Sequence, residues 1–241
     1  MFKRFLLAAG VVLSAGSVNA ATLMHEFTFD NTDFVGVSGT MIGNTYVSGG
    51  QAHFDGAGDY IDLYGYLIPT EGADFSVVLT ATATLPLSTN YMEMVSQGKS
   101  GGGFYIGHGT GSSANNTRQM RLTDNHINSG VLMPSDGLAH TYVLTSGNAF
   151  GTKFYIDGTE VFSGSELNLA PSTATGATQT RLGAQFQGFG EYFRGSIDYF
   201  AVYSGELANG MVPTSEVPLP ASLPLLLAGL GGVAALRRRR G

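Results

Sequence analysis

Apolar and polar residues alternate with a period of two along most of this chain, which is the pattern of half-buried β-strands. Residues 75–84 show it most clearly, because apolar side chains at the odd positions alternate with Ser, Val and Thr at the even ones. That segment should turn one apolar face to a core and a largely hydroxyl face to solvent. Residues 195–203 are apolar at both parities, which predicts a central strand.

About a dozen segments carry a strand pattern, and each is bounded by Gly, Asn, Asp or Pro. They are 24–29, 51–54, 60–63, 75–84, 91–97, 103–108, 118–123, 138–146, 152–156, 159–162, 179–184 and 195–203. Asp157-Gly158 supplies the positive φ angles of a type I′ turn, so the two segments around it form a hairpin. No helical period longer than a turn or two occurs between residues 21 and 216, so we expect an all-β fold of two packed sheets.

The first 20 residues have the three parts of a secretory signal peptide. Lys3 and Arg4 precede an apolar stretch over 5–13, and small residues end at Ala20. The alternative is an uncleaved anchor, but the apolar stretch is shorter than the ~20 residues that a membrane span needs.

The last 25 residues predict a membrane segment followed by a basic end. Residues 219–236 carry no charge, and as a helix they would extend about 27 Å, close to the ~30 Å hydrocarbon core. Four arginines follow at 237–240 and would stay cytoplasmic, which places everything upstream outside. The alternatives are a buried core helix or a disordered end.

This tail begins Val217-Pro218-Leu219-Pro220-Ala221. With the apolar run and the arginines behind it, it resembles the PEP-CTERM sorting signals of Gram-negative bacteria, in their V-P-L-P-A variant. The resemblance implies recognition of the short motif by an exosortase, a membrane cysteine protease that cuts near it. The chain would then divide into a signal peptide (1–20), one domain (21–207), a linker (208–216) and a sorting signal (217–241).

The exported part is strongly acidic. It holds six basic and all eighteen acidic residues, for a net charge of −12, whereas the whole chain has −6. Such a charge disfavours binding to nucleic acid and to anionic membrane surfaces. There is no cysteine, which excludes disulfides and thiol chemistry.

Several fragments in series resemble the laminin-G-like, concanavalin A-like jelly-roll family. They lie at 52–56, 59–61, 138–143, 154–158, 182–183, 193–200 and 202–203. The resemblance implies a two-sheet jelly-roll sandwich over about residues 24–207. Ala139 stands where that family usually has Trp, before His140, and the chain has no Trp at all, which removes the commonest platform for stacking a sugar.

No catalytic constellation is visible, so we expect that the protein is not an enzyme. Concanavalin A-like hydrolases place E-x-D-x-x-E on one strand for a retaining mechanism, and no such triplet occurs. Glu93 is the only acid inside an apolar strand, and we interpret it as an edge or outward-facing residue. There is no Gly-x-Ser-x-Gly elbow, and His140 is interpreted as a packed core residue.

Calcium is the one cofactor that the sequence suggests. Asp55, Asp59 and Asp62 are closely spaced, but their order does not fit an EF-hand loop, and a turn in which Asp55 bonds its own backbone is the alternative. The laminin-G-like resemblance implies a structural Ca²⁺ at a sheet edge, and its matching positions are Asp30, Asp55 and Asp198.

For ligand binding, the segment 185–192 combines aromatic rings with side-chain amides, a pairing that stacks on and hydrogen-bonds to sugars. The candidate residues are Gln185, Phe186, Gln187, Phe189 and Tyr192. The alternative is that Phe186 and Tyr192 simply cap the core.

Together these observations predict a protein exported by the Sec machinery of a Gram-negative bacterium. It would be anchored in the inner membrane as a precursor and then sorted by an exosortase to the cell surface or extracellular matrix. Its jelly-roll domain would bind exopolysaccharide or another glycan, or mediate adhesion. The alternatives are a diverged polysaccharide hydrolase or lyase and a purely structural matrix component.

Overall fold

The computed structural model describes residues 21–70, 72–84, 91–110, 118–123, 128–147, 151–164, 173, 175–188 and 190–210. The predicted signal peptide, the motif from Val217 to Ala221, the apolar run 219–236 and the arginines lie outside these residues. Within them, no helix is long and apolar enough to cross a membrane.

Fifteen strands and two short 3₁₀ turns make up the described structure, which has no α-helix. The first eight strands are β1 (Thr22–Phe27), β2 (Gly39–Ile42), β3 (Tyr46–Ser48), β4 (Gln51–Asp55), β5 (Tyr60–Leu63), β6 (Phe75–Ala83), β7 (Met92–Gly98) and β8 (Phe104–Thr110). The others are β9 (Arg118–Thr123), β10 (Asn128–Leu132), β11 (Ala139–Gly147), β12 (Gly151–Ile156), β13 (Thr159–Gly164), β14 (Thr178–Leu182) and β15 (Arg194–Ser204). The 3₁₀ turns are Phe186–Gly188 and Ala208–Gly210.

The strands form two antiparallel sheets in the manner of a jelly-roll sandwich. The eight-stranded sheet has the order β13-β12-β11-β6-β15-β4-β3, with β1 also pairing with β15. The seven-stranded sheet has the order β10-β9-β8-β7-β14-β5-β2. The predicted all-β, two-sheet fold is confirmed, and β15 is a central strand as expected.

The core fills the space between the sheets with side chains at alternate positions of the facing strands. Leu79, Phe200 and Tyr142 come from the eight-stranded sheet, and Ile61 and Phe104 come from the seven-stranded one. All five are at most 1% exposed. Residues at the other parity of each strand therefore lie on the outer faces of the sandwich.

The hairpin at Asp157-Gly158 is confirmed. Asp157 and Gly158 have φ angles of 51° and 75°, and Ile156 pairs directly with Thr159. The first predicted strand is shifted by two residues: β1 ends at Phe27, and Phe29 has a φ of 56°, which a continuing strand does not allow.

One expectation about the strands is wrong in detail, and three short strands were not predicted. The hydroxyl face of β6 is not wholly solvent-exposed, since Ser76 and Val78 are at most 1% exposed and only Thr80 and Thr82 are half-buried. The strands β2, β3 and β10 were not predicted, because they are three to five residues long and too short to show a period.

The chain crosses the outer face of the eight-stranded sheet after β15. The Ser76 hydroxyl donates to the Gly205 carbonyl at 2.9 Å and accepts from the Leu207 amide at 2.8 Å. A Cβ on Gly210 would lie 2.5 Å from the Tyr155 ring, so this end packs closely on β12. The domain thus continues about three residues into the segment that we interpreted as a linker.

Candidate functional site

The outer face of the seven-stranded sheet is the surface where polar and aromatic side chains converge. Ile61 and Leu63 of β5 point into the core, so Tyr60, Asp62 and Tyr64 point outwards. The residues that pair with Asp62 across neighbouring strands lie on the same outer face. One row contains Thr40 of β2, Asp62 of β5, Arg181 of β14, Ser96 of β7 and Tyr105 of β8.

Arg181 is the fixed centre of this face. Its Nε donates to Asp62 Oδ1 at 2.7 Å, and a terminal nitrogen donates to the Gln185 carbonyl at 3.0 Å. The guanidinium carbon also lies 4.2 Å from the centroid of the Tyr60 ring, a cation–π contact. With only 9% of the residue exposed, Arg181 holds the Asp62 carboxylate and the Tyr60 ring in place.

Three tyrosines, which we call the tyrosine platform, surround this ion pair: Tyr60, Tyr64 and Tyr192. The rings of Tyr60 and Tyr192 are stacked with centroids 6.4 Å apart and planes at 17°. Tyr64 is 47% exposed and shares a 2.5 Å hydrogen bond with Thr40. Since Tyr64 lies four residues after Tyr60, directly beyond the end of β5, the platform extends about 13 Å, with Asp62 between its ends.

A loop from residue 183 to 193 covers the rest of the face. The Gly183 amide donates to Met94 O at 2.9 Å, and the Glu93 amide donates to Glu191 O at 2.9 Å, so both ends are tied to β7. Gly183 has a φ of 85°, and a Cβ there would lie 2.5 Å from the Phe54 ring. Glycine is therefore required where the loop leaves β14.

The predicted ligand residues in this loop take different roles. Phe186 is fully buried and stacks on Tyr105 at 6.3 Å, so it caps the sheet, which was the alternative interpretation. Gln185 is 7% exposed, and its Oε1 has no hydrogen-bond partner in the part of the chain that is described. Tyr192 is half-buried on the platform, and Phe189 lies outside the described residues.

Gln187 is exposed, but its backbone amide and both side-chain polar atoms form hydrogen bonds. Its amide donates to Thr178 Oγ1 at 2.8 Å, and its Nε2 donates to the Gly176 carbonyl at 2.9 Å. Its Oε1 accepts from the Ser100 amide at 3.1 Å. These bonds hold its unusual φ of 58°, so Gln187 shapes the loop.

Glu93 occupies an outward-facing position, which was one of the two interpretations, but β7 is not an edge strand and the side chain is buried. It has no exposed surface, because its outer-face position on β7 is covered by the loop. Gly107 lies opposite it on β8, where any Cβ would collide with the carboxylate. The covered position keeps Glu93 away from any ligand on this face.

The three predicted calcium ligands do not come together. Asp30 and Asp198 lie near the start of β4, because a Cβ on Gly50 would be 3.7 Å from Asp30 Oδ1 and Ile197 pairs with Ala52. Asp55 is at the other end of β4, about 13 Å away. No group of three or more His, Cys, Asp or Glu side chains among the described residues is arranged to hold a metal.

Asp198 nevertheless fits a cation. Its Oδ1 is buried and has no hydrogen-bond partner within the described ranges, which is costly for a carboxylate oxygen. Asp30 uses Oδ2 to accept from the Thr28 hydroxyl at 2.7 Å. A hard cation at Asp198 would satisfy the buried oxygen.

Asp55 and Asp59 instead build a turn, as the alternative interpretation held. Asp55 Oδ1 accepts from the Ala57 amide at 2.7 Å. Asp59 is buried and uses both oxygens for backbone amides, those of Asn44 at 2.6 Å and Asp55 at 2.8 Å. Because the Asp59 oxygens already accept these bonds, its carboxylate acts as a structural clip.

His140 is largely buried, with 15% of its side chain exposed, but it is bound in a way that the sequence did not indicate. Its Nδ1 lies 2.6 Å from Asp157 Oδ2, and its Nε2 lies 2.9 Å from Asp136 Oδ1. Burial lowers the pKa of His140, yet the two carboxylates outweigh burial and raise that pKa above its usual value. The hydrogen bond from His140 in turn lowers the pKa of Asp136.

Sequence reasoning missed Arg181, Tyr60 and Tyr64, and it considered Asp62 only as a possible calcium ligand, whereas Asp62 is paired with Arg181. Their outward parity on β5 and β14 was readable from the alternation in these strands. The pairing of β5 with β14, across 119 residues of sequence between Asp62 and Arg181, was not.

Comparisons with known proteins agree with this architecture. A family model described as the concanavalin A-like lectin/glucanases superfamily matches residues 55–212, about two thirds of the chain. The chain therefore belongs to this superfamily, as its resemblance to laminin-G-like domains implied. No curated protein matches the chain in sequence.

Two solved structures illustrate the shared fold. Domain 4 of AbnA, a GH43 extracellular arabinanase from Geobacillus stearothermophilus, in complex with arabinotriose, has a TM-score of 0.60 at 21% identity. That match covers 78% of this chain and 95% of the other. Trypanosoma rangeli sialidase in complex with sialic acid has a TM-score of 0.51 at 15% identity, and the match covers 78% of this chain but 31% of the sialidase.

Proposed function

We propose that this domain binds glycan chains on the tyrosine platform of its seven-stranded sheet. The observation that carries the proposal is the outward-facing line of Tyr60, Asp62 and Tyr64 along β5 and the residue after it. Arg181 holds Tyr60 and Asp62 of this line in place. Aromatic faces stack on the apolar faces of sugar rings, while a carboxylate and a guanidinium between them bond hydroxyl groups. Because Arg181 already holds these side chains in place, less conformational entropy is lost when a ligand binds.

Binding without catalysis is the form of the proposal that the site favours. A retaining glycosidase needs two carboxyl groups about 5–5.5 Å apart beside the substrate, and an inverting one needs them about 6.5–9.5 Å apart. On this face Asp62 is already paired with Arg181, and Glu93 is covered by the loop. The platform thus presents groups that hold a sugar chain.

We further propose that the domain acts outside the cell, at the surface or in the matrix. The signal peptide predicted over 1–20 and the resemblance of Val217 to Ala221 to a sorting motif support this, with Sec and an exosortase as the proposed processing partners. The net charge of −12 is also suited to a hydrated, solvent-exposed matrix protein. Mass spectrometry of the released protein should find an end at or before Ser222, whereas residues beyond it would contradict sorting.

A structural Ca²⁺ bound by Asp30 and Asp198 completes the proposal. It rests on the buried Oδ1 of Asp198 and on the shared location of the two side chains near the start of β4. The ion would tie the end of β1 to β15, and Asp55 would have no part in it.

The test of function is isothermal titration calorimetry, in which the full-length protein is titrated with a panel of oligosaccharides that includes arabinotriose. We expect Tyr64→Ala and Tyr192→Ala to weaken binding about tenfold each, since stacking and ring burial contribute roughly 1–2 kcal/mol. Tyr64→Phe should keep most of the affinity. Release of reducing ends from any glycan, lost in Glu93→Gln, would instead establish a hydrolase.

A further inference from the structure

A pocket of about 410 Å³ opens at the edge of the eight-stranded sheet, away from the tyrosine platform. It is lined by side chains from β3, β4 and β15 and from the adjoining turns, among them Asn44, Tyr46, His53, Asp55, Thr84 and Ser196. Its volume lies within the range of about 300–1,000 Å³ that small-molecule sites occupy. No part of the fold or of the proposed function explains it.

One wall of the pocket is a pair of stacked rings. Tyr46 and His53 face each other across β3 and β4, with centroids 4.6 Å apart and planes at 15°. His53 Nε2 lies 3.2 Å from the Ser48 carbonyl, so that nitrogen carries the proton and the ring orientation is fixed. Tyr46 is still 56% exposed. The pair is therefore a rigid aromatic surface that faces solvent.

The other walls offer hydrogen-bonding groups that the protein leaves unused. The hydroxyls of Thr84 and Ser196 bond to no group in the described part of the chain. Asp55 Oδ2 receives a long contact from Asn44 Nδ2, at 3.4 Å, and Arg194 lies opposite Asp55 on β15. The Ala57 amide lowers the pKa of Asp55, so the carboxylate is ionised at neutral pH.

We propose that this pocket is a second carbohydrate site, which takes one neutral or amine-bearing sugar residue and rejects anionic sugars. The ring of Tyr46 stacks on the sugar, the two hydroxyls bond its oxygens, and Asp55 accepts from a hydroxyl or ammonium group. A uronate or sialate carboxylate would meet the two negative charges of Asp55 and the nearby Asp59, which outnumber the single positive charge of Arg194 opposite Asp55, and would be repelled. The pocket should therefore select sugars by their charge.

The pocket lies on the sheet opposite to the tyrosine platform. If both sites bind, one domain holds two glycan chains, which would cross-link a polysaccharide matrix. This consequence rests on the proposed function, whereas the pocket itself does not.

The test uses the full-length protein and three probes in isothermal titration calorimetry: cellotriose as neutral, the glucosamine trisaccharide as amine-bearing and trigalacturonate as anionic. We expect at least one of the first two to bind, and trigalacturonate to bind at least tenfold more weakly. Tyr46→Ala should weaken binding about tenfold, as loss of a stacked ring does, and Tyr46→Phe should not. Asp55→Asn keeps an acceptor for the Ala57 amide and should reduce the discrimination against trigalacturonate.

Tyr64→Ala on the platform is the matched control, because Tyr64 is similarly exposed. Binding that Tyr46→Ala weakens and Tyr64→Ala does not would support the pocket even if the platform fails. Binding lost only in Tyr64→Ala would overturn the pocket and support the platform. Equal affinity for trigalacturonate, or no binding of any probe, would also overturn the proposal, and unchanged urea unfolding of Tyr46→Ala shows that the variant is folded.

Discussion

The outer faces of the two sheets are built from the same alternation and yet differ in what they present. On the eight-stranded sheet, Ser76, Val78 and Val143 are buried, and the segment from Gly205 to Gly210 crosses part of that face. On the seven-stranded sheet, a loop buries Tyr105 and Glu93 but leaves Tyr60 and Tyr64 accessible. What covers a face therefore decides whether its outward residues serve packing or binding.

A substitution in the loop 183–193, which covers part of the seven-stranded sheet, should have the largest effect on the free energy of unfolding. Phe186→Ala removes a fully buried ring from its stack on Tyr105, and such changes cost about 3–5 kcal/mol. We expect a loss of that size in the free energy of unfolding, measured by urea denaturation. Tyr64→Ala, on the uncovered part of the same face, should cost less than about 1 kcal/mol. A similar loss in both variants would contradict the distinction between covered and uncovered regions.

The proposed calcium site near Asp30 and Asp198 should affect the stability of the eight-stranded sheet. At a hundred times its dissociation constant, an ion that binds only the folded state adds about 2.7 kcal/mol. We expect millimolar calcium to raise the melting temperature above that in chelator at fixed ionic strength, and Asp198→Asn or Asp30→Asn to abolish the rise. Asp55→Asn should keep it. An equal rise with magnesium, or in the Asp198 variant, would indicate diffuse screening of an acidic surface.

Arg181 should matter both for stability and for binding, because it connects the buried and accessible parts of the same face. Arg181→Ala leaves Asp62 and the Gln185 carbonyl without their donor, and we expect a loss of about 2 kcal/mol in unfolding free energy. Arg181→Lys should rescue only part of it, since an ammonium cannot reproduce the planar fork. Full stability in the lysine variant would show that the charge alone is sufficient.

The smallest effect is the pH dependence at His140. Its raised pKa stabilises the fold below about pH 6.5, and this contribution is lost as pH rises through the folded pKa. The lowered pKa values of Asp136 and Asp157 stabilise the fold above about pH 4 and are lost on acidification. Stability from this cluster is therefore greatest between roughly pH 4 and 6.5.

The variant His140→Gln should flatten that profile, with a difference below about 1 kcal/mol because the partners are near the surface. Urea denaturation from pH 5 to 8 measures it, and His25→Gln is the control. If wild type gained stability relative to His140→Gln as pH rises from 6 to 8, the protonated form of His140 would not be the stabilising one.

The sequence predicted what is local and missed what depends on pairing. Alternation and the Asp157-Gly158 turn identified most strands, because side-chain period and turn geometry are set by neighbours in sequence. Which aromatic of segment 185–192 is buried depends on Tyr105 and Tyr60, which lie on different strands. The platform likewise depends on β5 lying between β2 and β14, a contact that no local pattern specifies.

Glycan binding on the tyrosine platform is tested most directly by a crystal structure of the full-length protein with the oligosaccharide that binds most tightly in the panel. We expect a sugar ring stacked on Tyr64 or Tyr192, with its hydroxyls bonded to Asp62 or Arg181. A ligand found only elsewhere on the domain, with the tyrosine platform free of sugar at saturating concentration, would contradict it.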